Sequence, residues 1–180
     1  IGQLEIVDKT TLHAKLWESF NFEPVNRRFY LELVEHFSVL VQHLEKQFDR
    51  KASVMFTTRL LGRLLFIWFL QKKNLINKSA GYFKVSSPID QTGYYKKSLE
   101  KLFFEVLNRE ILERSNGDTI TPYLNGGLFD TSYTDFYKDP KLTFPDGYFT
   151  QLFETLNKYN FTVDESSPEF QQVAIDPEML

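Results

Sequence analysis

The most apolar stretch of the chain lies at residues 60–70 and has the sequence LLGRLLFIWFL. Within it, all residues except Gly62 and Arg63 are large and apolar. These apolar positions surround a helical axis instead of marking one side of it, and a helix of this kind is usually central and buried. The stretch therefore predicts a buried helix over residues 52–73, around which the rest of the domain is built.

Three further helices are predicted outward from this central one. Residues 24–49 place their apolar side chains on one broad stripe, and Pro24 suits a first helical turn. Residues 94–113 and 146–159 also carry apolar side chains at helical spacing, and Asp146 is the expected N-cap of the last helix. The predicted fold class is mainly α.

The remaining segments are rich in turn-forming residues. Residues 81–88 are expected to form an extended piece or a loop, and a long irregular stretch with several Asn, Gly and Pro residues follows the third helix. A loop of that length inside a domain is usually functional or an interface. In the tail, Val163 and residues 173–175 are candidate strand residues. We expect an irregular helical domain with a long loop-rich segment and a short β element.

Composition narrows the class of protein. Over 180 residues, 42% are hydrophobic and 16% aromatic, which is enough for one domain with an aromatic core and excludes a disordered chain. The absence of Cys excludes disulfides, thiolate metal sites and cysteine nucleophiles. Residues 60–70 are fewer than the roughly 20 apolar residues that a membrane span needs. The N-terminus lacks the features of a signal peptide, and we expect a cytoplasmic protein without a membrane partner.

Charge is strongly segregated along the chain, although the net charge is only −3. Residues 50–89 contain eight basic and no acidic residues, whereas residues 130–180 contain ten acidic and three basic ones. A phosphate-binding surface is therefore conceivable on the central helix and at its ends. For Arg63, which lies among leucines, a buried ion pair with an acid such as Glu32 or Glu105 is the preferred interpretation. The candidate phosphate contacts are Arg50, Lys51, Arg59, Arg63, Lys72 and Lys73.

No constellation of residues predicts catalysis. His36 and His43 flank the apolar stripe of the first long helix and lack a third zinc ligand. Asp139-Pro140-Lys141 resembles the end of a nuclease metal motif, but its proline and the nearby glycine favour a turn. The sequence TPYLNGG at residues 121–127 matches only a fragment of a methyltransferase base-binding loop. We predict no catalytic, cofactor-binding or metal-binding residue in this chain.

Several phrases occur together in a fixed order. They are FNF at 20–22, VNRRFY at 25–30, LGRLLFIWFLQKK at 61–73, LFFEVLN at 102–108, PYLNGGLF at 122–129, YNFTVDE at 159–165 and DPEML at 176–180. In this combination the chain resembles the helical region of type IIG, single-chain restriction-modification enzymes and of related phage-defence adenine methyltransferases. In such proteins the region precedes the methyltransferase domain and, in the restriction enzymes, follows an N-terminal nuclease.

The resemblance implies that residues 1–180 are a single helical connector domain of a longer protein. Residues 1–20 would lead in from an upstream domain, and residues 160–180 would lead into the methyltransferase domain. The implied partners are double-stranded DNA, through non-specific phosphate contacts, and the adjacent nuclease and methyltransferase domains. S-adenosylmethionine and Mg²⁺ would be cofactors of the parent protein and not of this region. Two alternatives remain: a helical protein-interaction module without DNA contact, and an independent metal nuclease that uses Asp139 and Lys141.

Overall fold

The structure is a computed structural model that describes residues 24–115, 117–124, 127–162 and 172–174. Over these residues the protein is mainly helical, which confirms the predicted fold class. The longer helices are α1 (Pro24–Leu44), α2 (Arg50–Lys72), α3 (residues 91–107) and α4 (Tyr148–Asn157). Short 3₁₀ turns lie at Lys78–Ala80, Ile111–Glu113 and Tyr133–Asp135, and two strands follow α4, β1 (Asn160–Thr162) and β2 (Gln172–Ala174).

Helix α2 is the centre of the fold, as the apolar stretch predicts. It begins two residues before the predicted start because the Asp49 carboxylate accepts a hydrogen bond of 2.9 Å from the backbone N–H of Ala52 and caps the helix. It ends before Asn74, which has a left-handed backbone with φ of 60°. Its core side chains are Phe56, Leu60, Leu61, Leu64, Ile67, Trp68 and Leu70.

The length and composition of α2 would also suit a membrane span. Its most apolar 18 residues have a mean hydropathy of 1.4, so the full helix reaches the length of a span although residues 60–70 by themselves are too short. The core helix of a soluble protein passes the same test, and 56% of this window is buried inside the domain. The packing of α2 against the rest of the domain thus accounts for its composition.

Helix α1 ends five residues earlier than predicted. Beyond Leu44 the chain forms turns through Phe48, because Asp49 must be free to cap α2. The ring of Phe48 stacks on Phe136 with centroids 3.9 Å apart, which fixes this connection to the loop region. The predicted amphipathic stripe is confirmed by the buried side chains of Leu40, Val41 and Leu44.

Helix α3 begins three residues before its predicted start and ends six residues before its predicted end. It begins with an α-helical turn at Gln91–Tyr94 and continues through π-helical segments at Tyr95–Leu99 and Leu102–Leu107. The carbonyl of Leu107 accepts a 2.8 Å hydrogen bond from the backbone N–H of Leu124, so a distant loop takes the bond that a continuing helix would need. Ile111–Glu113 forms a separate 3₁₀ turn.

The predicted N-cap of α4 was wrong. Gly147 occupies the cap position with φ of 70°, a conformation that favours glycine, and Asp146 makes no cap. Instead of Asp146, the side-chain carbonyl of Gln91 accepts a 2.7 Å hydrogen bond from the backbone N–H of Phe149. A residue from α3 therefore satisfies the start of α4, which the local sequence does not reveal.

The two strands form a small parallel pair. Asn160 pairs with Gln172 and Thr162 with Ala174, and β2 lies against α1. The predicted strand residues Val173 and Ala174 lie in β2, which confirms the short β element. Val163 and Ile175 lie outside the described residues.

Candidate functional site

The candidate site is centred on Arg63, in the middle of α2. Its side chain is only 1% exposed. Its Nη1 donates to Asp135 Oδ1 at 2.7 Å, and its Nη2 donates to Asp135 Oδ2 at 3.1 Å. The pair is bidentate, the geometry in which a guanidinium and a carboxylate bind most strongly.

Arg63 also binds the backbone of the long loop. Its Nε donates to the carbonyl of Leu128 at 2.7 Å, and its Nη2 donates to the carbonyl of Asp130 at 3.1 Å. Buried backbone carbonyls need hydrogen-bond partners. A helix supplies them from its own backbone N–H groups, whereas a loop needs donors from elsewhere in the protein. One side chain of the central helix therefore fixes the path of the loop.

The same guanidinium also lies over two aromatic rings from α3. Its Cζ lies 4.9 Å from the ring centroid of Phe104 and 5.6 Å from that of Phe103. Three of the sequence stretches that carry the resemblance therefore meet at Arg63. They are residues 61–73, which include Arg63 itself, residues 102–108 and residues 122–129. Internal contacts explain why these residue types occur together.

Arg59 completes the cluster one helical turn earlier. Its Nε donates to Asp135 Oδ1 at 3.2 Å and its Nη2 to the carbonyl of Asp130 at 2.9 Å, while its side chain stays 31% exposed. The backbone N–H of Ser132 also donates to Asp135 Oδ2, at 2.7 Å. Asp135 is fully buried, yet its charge is balanced from three directions, as a buried carboxylate requires. We call Arg59, Arg63 and Asp135 the arginine anchor.

The predicted buried ion pair of Arg63 is confirmed, but its predicted partner was wrong. Glu32 binds Lys158 and Tyr159 instead, and Glu105 accepts from the hydroxyl of Tyr137. The sequence reasoning missed Asp135. Its signal is the spacing of Ser132 and Asp135, which is the capping-box pattern that the Tyr133–Asp135 turn uses.

A second polar cluster holds the loop on its other side. The Asp118 carboxylate accepts from the Thr121 hydroxyl at 2.6 Å and from the Tyr82 hydroxyl at 2.7 Å. Burial by itself would raise the pKa of Asp118, but the hydrogen bonds from Thr121 and Tyr82 outweigh it and lower the pKa to about 2. Arg114 donates to the carbonyls of Asp118 and Thr121 at 2.9 and 2.5 Å. The loop is thus anchored both before and after residues 122–129.

The six candidate phosphate contacts do not form one cluster. Arg50 and Lys51 are exposed at the start of α2, and Lys72 and Lys73 are exposed at its end, about 33 Å away for a helix of 23 residues. Between them, Arg59 is partly exposed and Arg63 faces the protein interior. The exposed cations therefore form two separate groups.

The other sequence candidates take part in ordinary structural contacts. Asp139 lies in a turn, as interpreted, and its carboxylate accepts from the backbone N–H of Lys141 at 2.8 Å. His36 and His43 each bond a threonine hydroxyl at 3.0 Å, those of Thr155 and Thr143. Within the part of the chain that the structure describes, no group of three or more His, Asp or Glu side chains is arranged to hold a metal ion.

The fold and the site define a class of protein: a mainly helical domain whose core is organised around a buried arginine. This arrangement does not by itself indicate a chemical reaction. The chain is 30% identical over 137 residues to a protein of Methanocaldococcus jannaschii that carries the provisional name of a type II restriction enzyme and methyltransferase. The match covers 69% of this chain and 11% of that protein, so the chain spans only a small part of its relative. No protein-family model and no solved structure matches the chain. The protein is thus related to a restriction-modification protein.

Proposed function

We propose that this chain is a helical connector domain of a restriction-modification protein and is not itself catalytic. The observation that carries the proposal is the arginine anchor, which joins α2 and α3 to residues 128–135 through buried contacts. A connector has to hold flanking modules at fixed distances, and the buried bidentate pair with Asp135, together with the bonds to the carbonyls of Leu128 and Asp130, supports that role. The similarity to the Methanocaldococcus jannaschii protein supports the biological setting.

The partners follow from the same proposal. The flanking modules would be a nuclease and an adenine-specific methyltransferase domain, in the arrangement of type IIG enzymes or of phage-defence methyltransferases. S-adenosylmethionine and Mg²⁺ would be bound by those modules and not by this domain. The protein would act in the cytoplasm, where its DNA substrate is found.

The domain would contact double-stranded DNA through phosphates without reading bases. The exposed cations at the two ends of α2, Arg50, Lys51, Lys72 and Lys73, support this role because lysine and arginine neutralise phosphate charge. Arg59 is bonded to Asp135 and partly exposed, so it would contribute at most an edge of its guanidinium. Arg63 would contribute indirectly, by holding Arg59 and the loop in place.

Fluorescence anisotropy with labelled duplex DNA tests the proposal. We expect the domain to bind several unrelated 20-base-pair duplexes with equal affinity, and to lose affinity steeply as the salt concentration rises. Absence of binding by the folded domain at low salt would contradict the DNA contact, and a strong preference for one sequence would contradict the phosphate-only mode.

A second candidate function, a helical protein-interaction module, is favoured by one observation. The segment held by Arg114 and Asp118 displays apolar side chains at the surface, with Leu112 97% and Ile120 63% exposed. If this module is the correct function, we expect no DNA binding by the folded domain, with or without Leu112→Ser and Ile120→Ser. DNA binding that these two substitutions leave unchanged would support the connector.

A further inference from the structure

Tertiary contacts bring one group of cations together from three different helices. Lys72 Nζ donates to Asn157 Oδ1 at 3.3 Å, which joins the end of α2 to the end of α4. The next residue, Lys158, places its Nζ 3.0 Å from Glu32 Oε2 on α1. Arg28 Nε lies 3.3 Å from the other oxygen of Glu32. We call Arg28, Lys72, Lys73 and Lys158 the basic row.

The basic row is accessible and its central acid, Glu32, accepts three hydrogen bonds. The side chains of Arg28 and Lys158 are 71% and 53% exposed, and Lys72 and Lys73 are exposed as well. The hydroxyl of Tyr159 also donates to Glu32, at 3.0 Å. Glu32 takes one donor from Arg28 and one from Lys158, whereas a guanidinium carries five N–H donors and an ammonium three.

The carboxylate of Glu32 orders the row and neutralises only part of its charge. Burial would raise the pKa of Glu32, but the hydrogen bonds from Lys158 and Tyr159 outweigh it and lower the pKa, so the group is ionised at neutral pH. Two of the four cations, Arg28 and Lys158, then share one ionised carboxylate. The exposed acid Glu35 lies about one turn after Glu32 on α1, and the exposed acid Glu154 lies about one turn before Lys158 on α4. Exposed ion pairs of this kind are weak, so a phosphate can compete for the cations.

We propose that the basic row is the principal DNA-backbone contact of this domain, with Arg28 and Lys158 as contacts additional to the two lysines of α2. This inference rests on the proposed function and specifies which surface faces the DNA. Arg50 and Lys51 lie at the far end of α2, and Arg50 is bonded to Glu45 at 3.0 Å. The two ends of α2 are therefore not equivalent.

An alternative explanation of the lysines is helix stabilisation. Lys72 lies in the last turn of α2 and Lys158 follows the last residue of α4, positions where a cation interacts favourably with the helix dipole. The helix dipole does not account for Arg28, which lies in the first turns of α1, although its i,i+4 ion pair with Glu32 adds to helix stability. Helix stabilisation predicts changed stability and unchanged DNA binding when the row is neutralised.

The test compares two variants of equal charge by anisotropy titration at several salt concentrations, after circular dichroism has shown that both fold. One variant neutralises the row: Arg28→Gln, Lys72→Gln, Lys73→Gln and Lys158→Gln. The other neutralises four exposed lysines elsewhere: Lys46→Gln, Lys97→Gln, Lys101→Gln and Lys141→Gln. For four phosphate contacts, a rise from 50 to 200 mM salt should weaken wild-type binding by about 150-fold, and the row variant should lose most of this salt dependence.

The outcomes separate the two proposals. If the wild-type chain binds DNA and the two variants lose affinity equally, the row has no special role and the inference is wrong, while the proposed function survives. If the wild-type chain does not bind DNA at low salt, the proposed DNA contact fails and the inference fails with it. Glu32→Gln provides a measurement of opposite sign: removing the central negative charge should tighten binding, and unchanged affinity would overturn the inference.

Discussion

Replacing Asp135 by Ala should destabilise the domain more than any other change in the arginine anchor. Asp135 is 0% exposed and binds Arg63 at 2.7 and 3.1 Å, Arg59 at 3.2 Å and the backbone N–H of Ser132 at 2.7 Å. Removing one partner of a buried ion pair typically costs about 3–5 kcal/mol, because the remaining charge stays buried without compensation. Since Arg63 is 1% exposed and cannot reach water, we expect a loss of about 4 kcal/mol.

Graded variants test the reasoning. Arg63→Met should cost about 3 kcal/mol, because Arg59 and Ser132 still bind the Asp135 carboxylate. Arg59→Met should cost only about 1 kcal/mol, since its side chain is 31% exposed and water screens the pair. Asp130→Ala is the matched control, because only the backbone carbonyl of Asp130 is bonded and its side chain is exposed; it should change stability by about 0.5 kcal/mol or less.

Urea unfolding followed by far-ultraviolet circular dichroism gives these free energies. The double variant Arg63→Met with Asp135→Leu should cost clearly less than the sum of the single changes, because it removes both charges together. The reasoning would be refuted if Asp135→Ala were as mild as Asp130→Ala. Strict additivity in the double variant would also refute it, since the two side chains would then not act as a pair.

Three further predictions concern the core and the pH dependence. Trp68→Ala should lower the free energy of unfolding by about 3–5 kcal/mol, because Trp68 is 4% exposed and stacks on Phe153 with ring centroids 5.4 Å apart. Urea unfolding measures this change, and a loss below about 1 kcal/mol would contradict the central position of Trp68. The folded-state pKa of Asp118 is lowered to about 2, so its ionised carboxylate stabilises the fold at pH values above the ordinary Asp pKa of about 3.9. This contribution, roughly 2 kcal/mol, disappears as the pH falls toward 2. Thermal melts of Asp118→Asn should therefore depend less on pH in this range than those of the wild type. Burial lowers the pKa of His36 and His43, so stability should fall as the pH drops below about 6.5, and the double Gln variant should show a smaller difference in urea midpoint between pH 7.5 and 5.5.

The helices could be predicted from the sequence, but their ends could not. The spacing of apolar residues locates α1, α2, α3 and α4 because burying one face of a helix, or all of it, requires that spacing. The ends were decided by partners from elsewhere in the chain. Gln91 satisfies the start of α4 and Leu124 takes the last carbonyl of α3, so local propensity could not identify either boundary.

The candidate site shows the same division. The sequence indicates that Arg63 needs a buried acid, because a guanidinium set among leucines cannot remain unpaired. It could not select Asp135 from 24 acidic residues, since the pair joins positions 72 apart through the folding of the long loop.

By itself, the sequence determined the helical class of this protein, the central position of α2 and the requirement for a charge partner inside it. These properties follow from side-chain chemistry and its periodicity along the chain. Only the tertiary structure decided which carboxylate meets Arg63. Only it separated the exposed cations of α2, bonded Lys72 to Asn157 at the end of α4, and brought Lys158 to the Glu32 that also binds Arg28. The physical reason is that charges pair by distance in space, and that distance is set by how the helices pack.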